Sequence, residues 1–134
     1  MKQLFKKKDI FKIKSIPLEP ASMQEPTTAD EYQKRGMAYY ARKKLSHAIA
    51  DLQRAIALDG NNIDAFYCLG MVLKAMHCKD ESMQAFNRVI ILIKERSEVG
   101  EARYGMLRRL ALGHINQLTQ GDWNLEKEIW KRTV

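Results

Sequence analysis

The chain has 134 residues, of which 46% are hydrophobic and 29% charged, which suits one folded domain with a modest core. The net charge is +7, and no apolar run is long enough to span a membrane, while lysines interrupt any secretory signal near the start. A helix between the two cysteines, Cys68 and Cys78, would hold them roughly 15 Å apart, too far for a disulfide. Free thiols indicate a reducing, cytoplasmic compartment.

The first segment is a basic leader that ends in a proline-containing stretch. Residues 1–16 carry a net charge of +5 and mix lysines with Leu, Ile and Phe in no clean period. The prolines are Pro17, Pro20 and Pro26. Because proline disfavours helix, we place a boundary near Thr27, between a leader, residues 1–26, and a body, residues 27–134. Three alternatives stay open for the leader: a disordered solubilising tail, docking on the body or a partner, or contact with an anionic membrane surface.

The body is predicted to be helical throughout. Apolar residues at helical spacing predict helices over residues 29–42, 46–58, 63–76 and 80–94. The expected N-caps are Thr27 or Thr28, Ser46 and Asn62. The pattern then runs without proline over residues 98–119, some two turns longer than the first helix. Gln120, Gly121 and Asp122 break it, and a last helix follows to about residue 132.

The body also contains an internal repeat. When the sequence is aligned with itself so that Gly36 matches Gly70, several other positions are also identical. The other matching pairs are Asp30 and Asp64, Met37 and Met71, Ala41 and Ala75, Arg54 and Arg88, Ile56 and Ile90, and Leu58 and Leu92. A period of roughly 34 residues, with two helices in each unit, is typical of a helix–turn–helix solenoid, a class that binds other chains and rarely catalyses reactions.

The repeated residues resemble a known family, the tetratricopeptide repeat. The first unit carries Tyr32, Gly36, Tyr39, Ala48, Leu52 and Ala55, and the second carries Phe66, Leu69, Gly70, Leu73, Ser82, Phe86 and Val89. The resemblance implies an all-α solenoid of about three repeats, over residues 29–62, 63–96 and 97–134. The third is degenerate, with an enlarged first helix that contains Leu112 and Gly113. Arg35 departs from the family pattern, which usually has Leu before the first Gly.

In this family the concave groove is lined by first-helix residues that point away from the second helix. On this sequence those residues are Gln33, Met37, Tyr40, Tyr67, Met71, Lys74 and Arg103. A groove rich in Met and Tyr suits an amphipathic helix or an extended peptide with apolar anchors. Alternatively, the two methionines pack between successive first helices. The chaperone-binding members clamp a terminal carboxylate with Lys and Asn, but Gln33, Met37 and Cys68 stand at those positions, which argues against that activity.

The predicted last helix has two apolar edges. One is formed by Leu125 and Ile129, and the other by Trp123, Trp130 and Val134. Because the terminal helix of a solenoid is normally polar outside, the second edge indicates a second interface with a partner, a second copy of this chain or the leader. In the alternative, both edges pack into an enlarged third repeat.

No residue pattern points to catalysis, a cofactor or a metal. His47, His77 and His114 are scattered, and the adjacent His77 and Cys78 have no second pair at ligand spacing, so turn residues are the expected role. Arg103, Arg108 and Arg109 form a basic stripe, interpreted as a solvated face or as a contact for a phosphate or an acidic partner. Without interleaved aromatic residues, a nucleic-acid role is weakly supported.

These observations predict a non-catalytic adaptor or complex subunit that binds a peptide or helix in its groove. The alternative is a membrane-peripheral assembly factor recruited through the basic leader. Polyanion binding, which would weaken steeply with salt, is a third reading.

Overall fold

The computed structural model describes residues 19–20, 23–96 and 102–123, and within them it contains five α-helices and no strand. The helices are α1 (Ala29–Ala41), α2 (Leu45–Leu58), α3 (Ile63–Ala75), α4 (Lys79–Glu95) and α5 (Ala102–Gln120). The predicted all-α fold is confirmed. The greater length of the third unit's first helix is also confirmed, because α5 has 19 residues where α1 and α3 have 13 each. The predicted last helix and most of the leader lie outside the described residues.

Two of the expected caps are confirmed and one is wrong. Thr28 caps α1 through a capping box, in which Glu31 N donates to Thr28 Oγ1 at 3.1 Å and Thr28 N donates back to Glu31 Oε1 at 3.1 Å. Asn62 caps α3 by accepting from the backbone N–H of Ala65 at 3.0 Å. Helix α2 begins at Leu45 after Lys44, so Ser46 already lies inside the helix and caps nothing.

The turn within each repeat explains that difference. Lys43 and His77 occupy equivalent positions of the two repeats, and both adopt left-handed backbone conformations, with φ of 62° and 63°. In each turn the next N–H reaches back to the helix: Lys44 N donates to Tyr39 O, and Cys78 N donates to Leu73 O, both at 2.9 Å. This Schellman geometry reverses the chain within three residues. The following helix therefore starts one residue earlier than the hydrophobic pattern predicts.

Successive helices pack side by side in chain order, and α1 also contacts α3. Leu52 of α2 and Phe86 of α4 are fully buried at equivalent positions of the two repeats. Each packs directly on a glycine of the preceding helix: a Cβ added to Gly36 would lie 3.0 Å from Leu52 Cγ, and one added to Gly70 would lie 2.8 Å from the Phe86 ring. The repeated glycines thus let the two helices of each unit approach closely, as the sequence pattern predicts.

A buried ion pair occupies the first repeat. Arg35 Nε donates to Asp51 Oδ2 at 2.7 Å and Nη2 donates to Oδ1 at 2.8 Å, while Asp51 is only 4% exposed. The Arg35 guanidinium also lies 5.9 Å from the ring centroids of Tyr32 and Tyr39. Its hydrogen bonds to Asp51 raise the pKa of Arg35, so the guanidinium stays charged. The departure of Arg35 from the repeat pattern is therefore compensated by a carboxylate sixteen residues later.

The end of the predicted leader lies against α1. Pro20 and Pro26 are buried, and two ion pairs connect this stretch to the helix: Glu19 with Arg42 at 3.1 Å and Glu25 with Arg35 at 3.4 Å. These contacts cover part of the surface of α1. Residues 19–20 and 23–26 are consequently packed with the repeats, although the sequence assigns them to the leader.

Candidate functional site

The residues predicted to line the groove form two equivalent rows on α1 and α3. Each row has the spacing i, i+4, i+7 that places side chains on one helix face. The α1 row is Gln33, Met37 and Tyr40, and the α3 row is Tyr67, Met71 and Lys74. Met37 is 38% exposed, whereas Met71 is partly buried against the core cluster that contains Phe86 and Leu107. The two methionines thus share a sequence position but differ in exposure, and peptide binding by these rows stays a prediction.

The α1 row lies beside an apolar cavity. Gln33 Nε2 approaches the sulfur of Cys68 on α3 at 3.8 Å, while Tyr40, at the other end of the row, is partly buried and lines a cavity. A cavity of about 460 Å³ lies there between the C-terminal ends of α1 and α3. Its lining residues are Tyr40, Ala41, Lys43, Leu45 and Ala75. Apart from Lys43 and the tyrosine hydroxyl, this lining can only offer apolar contact.

The α3 row ends in a lysine whose partners are all neutral. Lys74 Nζ lies 2.9 Å from His114 Nδ1, donates to Gln117 Oε1, and lies 6.0 Å from the ring centroid of Trp123. Among the described residues, no acidic side chain forms an ion pair with it. Burial lowers the pKa of Lys74. Within the described residues, the ammonium is therefore held by polar and aromatic groups and by no carboxylate.

His114 is the centre of that ring. Its imidazole stacks on Phe86 with a centroid distance of 4.7 Å and an interplanar angle of 10°, and Trp123 packs edge-on at 4.7 Å. Because the Lys74 ammonium can only donate, Nδ1 accepts its hydrogen bond, and Nε2 carries the proton that bonds the Tyr67 hydroxyl at 3.1 Å. Burial, reinforced by the Lys74 charge, lowers the pKa of His114 to about 4. The imidazole is accordingly neutral at pH 7.

This role of His114 was not predicted from the sequence. Turn positions were expected for the histidines, which is right for His77 but wrong for His47, in α2, and for His114, which is 8% exposed and lies within α5. A signal was present, since Leu107, Ala111, His114 and Leu118 continue one apolar face at alternating spacings of four and three. A histidine on such a face indicates a buried imidazole that needs two polar partners, but their identity depends on which helix lies opposite.

Arg103, the predicted third row of the groove, connects α5 to α3. Its guanidinium donates to Asp64 Oδ2 and lies 5.4 Å from the ring centroid of Tyr104. The side chain remains exposed, and its hydrogen bond to Asp64 raises the pKa of Arg103. Of the predicted basic stripe, Arg109 is exposed and Arg108 is partly buried. Arg103 therefore has its charge neutralised by a neighbour, unlike Lys74.

Trp123, one of the three residues assigned to a second interface, packs onto α5. Its indole lies over Gly113, where an added Cβ would overlap the ring, and Asn116 Nδ2 donates to the Trp123 carbonyl at 3.0 Å. Gly113 thus accommodates an aromatic residue as Gly70 accommodates Phe86. Trp130 and Val134 lie outside the described residues, so the second interface stays a prediction.

Metal and thiol chemistry find no support in the described part of the chain. Across residues 19–20, 23–96 and 102–123, no group of three or more His, Cys, Asp or Glu side chains could hold a metal ion. Burial raises the pKa of the Cys68 thiol to about 11, which leaves it protonated and a poor nucleophile. Among these same helices, none combines the length and apolar character needed to cross a membrane.

Comparison with known proteins agrees with this architecture. Residues 36–76 match the family model for the tetratricopeptide (TPR) repeat. One crystal structure of MamA superposes with a TM-score of 0.53 at 30% identity, over 81% of this chain and 63% of that chain. A second crystal structure of MamA gives a TM-score of 0.53 at 31% identity, over 80% of this chain and 58% of that chain. The chain spans about three fifths of the length of both.

Proposed function

This chain is a tetratricopeptide-repeat protein, and from that premise we propose that it is a non-catalytic adaptor or complex subunit that binds a peptide or helix of another protein. Repeats of this family generally mediate protein–protein interaction. The binding site is the groove formed by the α1 and α3 rows, with Met37 and Tyr40 as the apolar contacts. Free Cys68 and Cys78 suit a cytoplasmic adaptor.

One observation carries this proposal: the apolar cavity at the end of the α1 row. A volume of about 460 Å³ lined by Tyr40, Ala41, Leu45 and Ala75 accommodates a large apolar side chain of a ligand. Met37 is exposed beside this pocket and Gln33 is partly buried. In such an arrangement one ligand side chain in the pocket supplies most of the affinity, and the row adds complementary contacts. The described residues offer no catalytic constellation that competes with this role.

The test is selection from a displayed library of randomised peptides of about 12 residues, a length that spans a recognition groove. Peptides selected on the full chain are then measured against Ala75→Arg and Met37→Glu, which alter exposed positions at the cavity and the row. We expect both variants to lose most of the binding. Ala50→Arg is the matched control, since Ala50 is exposed on α2 and lines none of the described cavities. Equal binding by Ala75→Arg, Met37→Glu and the control would refute the groove.

Recruitment to a membrane is the alternative function, and the charge of +5 over residues 1–16 favours it. Because Pro20, Glu25 and Pro26 pack with α1, the informative truncation removes residues 1–18 and not residues 1–26. Sedimentation with vesicles of phosphatidylcholine and phosphatidylserine measures the effect. Binding by the full chain that disappears on truncation supports recruitment, whereas no vesicle binding by the full chain excludes it.

A further inference from the structure

Lys74 has one more hydrogen-bond donor than it has partners. A protonated lysine carries three N–H groups. Two of them are engaged, by His114 Nδ1 at 2.9 Å and by Gln117 Oε1. Among the described residues, no third acceptor lies within hydrogen-bonding distance. Within the described part of the chain, the third donor therefore has no partner, and no carboxylate offsets the charge of the ammonium.

The ammonium is also held in a fixed position. The His114 ring is fixed by stacking on buried Phe86 and by its bond to the Tyr67 hydroxyl, and Trp123 closes the opposite side. A flexible surface lysine loses rotamer freedom when it binds an anion, whereas this one has already lost it on folding. Its neutral partners orient the charge without neutralising it. By contrast, the other cation assigned to the groove, Arg103, already pairs with Asp64.

The cavity at Tyr40 lies on the neighbouring side of the same helix. Ala75 follows Lys74 directly, so the two side chains diverge by about 100° around α3: Lys74 faces α5, while Ala75 lines the cavity beside α1. A ligand that contacts both must cross α3, a width of about 10 Å. An extended chain covers that distance in about three residues.

We propose that Lys74 binds an acidic side chain, Asp or Glu, of the partner polypeptide, while an apolar side chain about three residues away enters the cavity lined by Tyr40, Leu45 and Ala75. This inference rests on the proposed function and specifies its partner. Lys43 at the cavity rim adds to the positive potential of this end of the groove and disfavours a basic ligand. The combination selects an extended acidic and apolar segment.

To test this, peptides are selected from the randomised library on four proteins: the wild-type chain, Lys74→Met, Lys74→Arg and Lys94→Met. The four selected pools are then sequenced and compared. Lys94→Met is the matched control, because Lys94 is exposed in the last turn of α4. We expect Asp and Glu to be enriched at about three residues from an apolar residue in the wild-type and Lys94→Met pools. Lys74→Met should lose the enrichment, and Lys74→Arg should retain it because it keeps the charge.

The best peptide is then compared with its Glu→Gln or Asp→Asn version by fluorescence polarisation. On the wild-type chain we expect the neutral peptide to bind about tenfold more weakly, as for the loss of one partly desolvated charge contact. On Lys74→Met the two peptides should bind equally. Circular dichroism of each variant verifies that the helices are intact.

The outcomes separate the two proposals. If the wild-type chain selects no peptides, the groove adaptor itself fails. If it selects peptides without acidic enrichment, or if Lys74→Met selects the same acidic peptides, the role of Lys74 is refuted and the adaptor stands. A preference that vanishes when the peptide C-terminus is amidated would refute the side-chain assignment. Equal loss of thermal stability in Lys74→Met and in a Glu126→Gln, Glu128→Gln variant would show that the chain supplies its own anion, and would overturn the inference.

Discussion

The first two repeats differ in the residues that pack between their two helices. In the first, Arg35 and Asp51 form a bidentate ion pair, whereas the equivalent positions of the second repeat hold Leu69 and Ala85. Leu69 and Ala85 line a cavity of about 280 Å³, where the first repeat has a charged pair flanked by tyrosines. The same helix pair therefore tolerates either solution, provided that each buried polar atom has its partner.

Two features that the repeats share set the backbone geometry. Gly36 and Gly70 allow close approach, and Lys43 and His77 make the same left-handed turn. The side chains at the Arg35 and Asp51 positions vary because each change is compensated by its neighbour. The difference teaches that the repeat pattern constrains helix spacing strictly and the chemistry of the interface loosely.

Breaking the ion pair on one side should have the largest effect. Asp51→Ala leaves Arg35 charged and mostly buried, which should cost about 3 kcal/mol of unfolding free energy. The double variant Arg35→Leu, Asp51→Ala reproduces the residues of the second repeat and should recover most of that loss. Urea denaturation of the three proteins measures both effects. A double variant as unstable as Asp51→Ala would mean that the two repeats are not interchangeable at this site.

Lowering the pH should destabilise the packing of α5 on the second repeat more than it destabilises the first repeat. The folded-state pKa of His114 is about 4, below the ordinary value of 6.5, so the unfolded chain binds the proton more readily. The stability from neutral His114 is complete above about pH 6.5 and is lost as the pH falls toward 4, a change on the order of 2 kcal/mol. Urea denaturation as a function of pH measures the loss, and hydrogen exchange locates it at α3 and α5.

The control for this pH dependence is His114→Gln. Glutamine retains one donor and one acceptor for Tyr67 and Lys74 but does not titrate. We expect lower stability at pH 7, because the stacking on Phe86 is lost, and a flatter dependence below pH 6.5. If the variant keeps the wild-type slope, groups other than His114 cause the acid effect.

The two repeated glycines should differ in their tolerance of a methyl group. In Gly70→Ala the new Cβ meets the Phe86 ring at 2.8 Å, whereas in Gly36→Ala it meets buried Leu52 at 3.0 Å and the backbone oxygen of Ala48 at 3.3 Å. We expect Gly70→Ala to cost about 1–2 kcal/mol, and Gly36→Ala to cost less because its contacts are less close and need smaller shifts. Gly105→Ala is the control: nothing lies within 4 Å, so helix propensity should stabilise it by up to about 1 kcal/mol. Thermal and urea unfolding of the three variants would contradict this if Gly36→Ala cost more than Gly70→Ala.

Replacing the left-handed residue of each turn by glycine should have the smallest effect on stability, and the effect should be equal in the two repeats. Lys43→Gly and His77→Gly remove a side chain from a left-handed residue, with φ of 62° and 63°. The relief of steric strain exceeds the entropic cost of glycine by about 0.5 kcal/mol. Calorimetry should detect a small rise in Tm for each variant. A rise in only one would show that the side chain of the other makes a contact that its repeat counterpart lacks.

Much of the fold was predictable because its signals are local. Helix periodicity, the N-caps at Thr28 and Asn62 and the turn after α2 all depend on residues within one or two helical turns. The internal repeat is a recurrence of these same local patterns, and the groove rows on α1 and α3 were assigned by resemblance to the tetratricopeptide family. The first residue of α2 was predicted incorrectly because Lys43 adopts a left-handed backbone conformation. A glycine at this position would have indicated such a turn, but a lysine does not.

Polar partners were not predictable, because they depend on the register between helices that are distant in sequence. Arg35 and Asp51 are sixteen residues apart, and Lys74 and His114 are forty apart. Leu58 and Leu92 show that burial also depends on the neighbouring helix. They are the same residue at the same repeat position, but Leu58 is 57% exposed and Leu92 is 2% exposed. Leu92 is buried in a cluster with Leu107 of α5, and the first repeat has no equivalent of that contact.

The sequence by itself determined the helices, their turns and their stacking period, because these arise from short-range hydrogen bonding and from the spacing of apolar residues along each helix. Only the tertiary structure decided which charges are neutralised and which remain available. Lys74 and Arg103 both carry a positive charge and were both assigned to the groove. Packing pairs Arg103 with Asp64 and surrounds Lys74 with neutral groups.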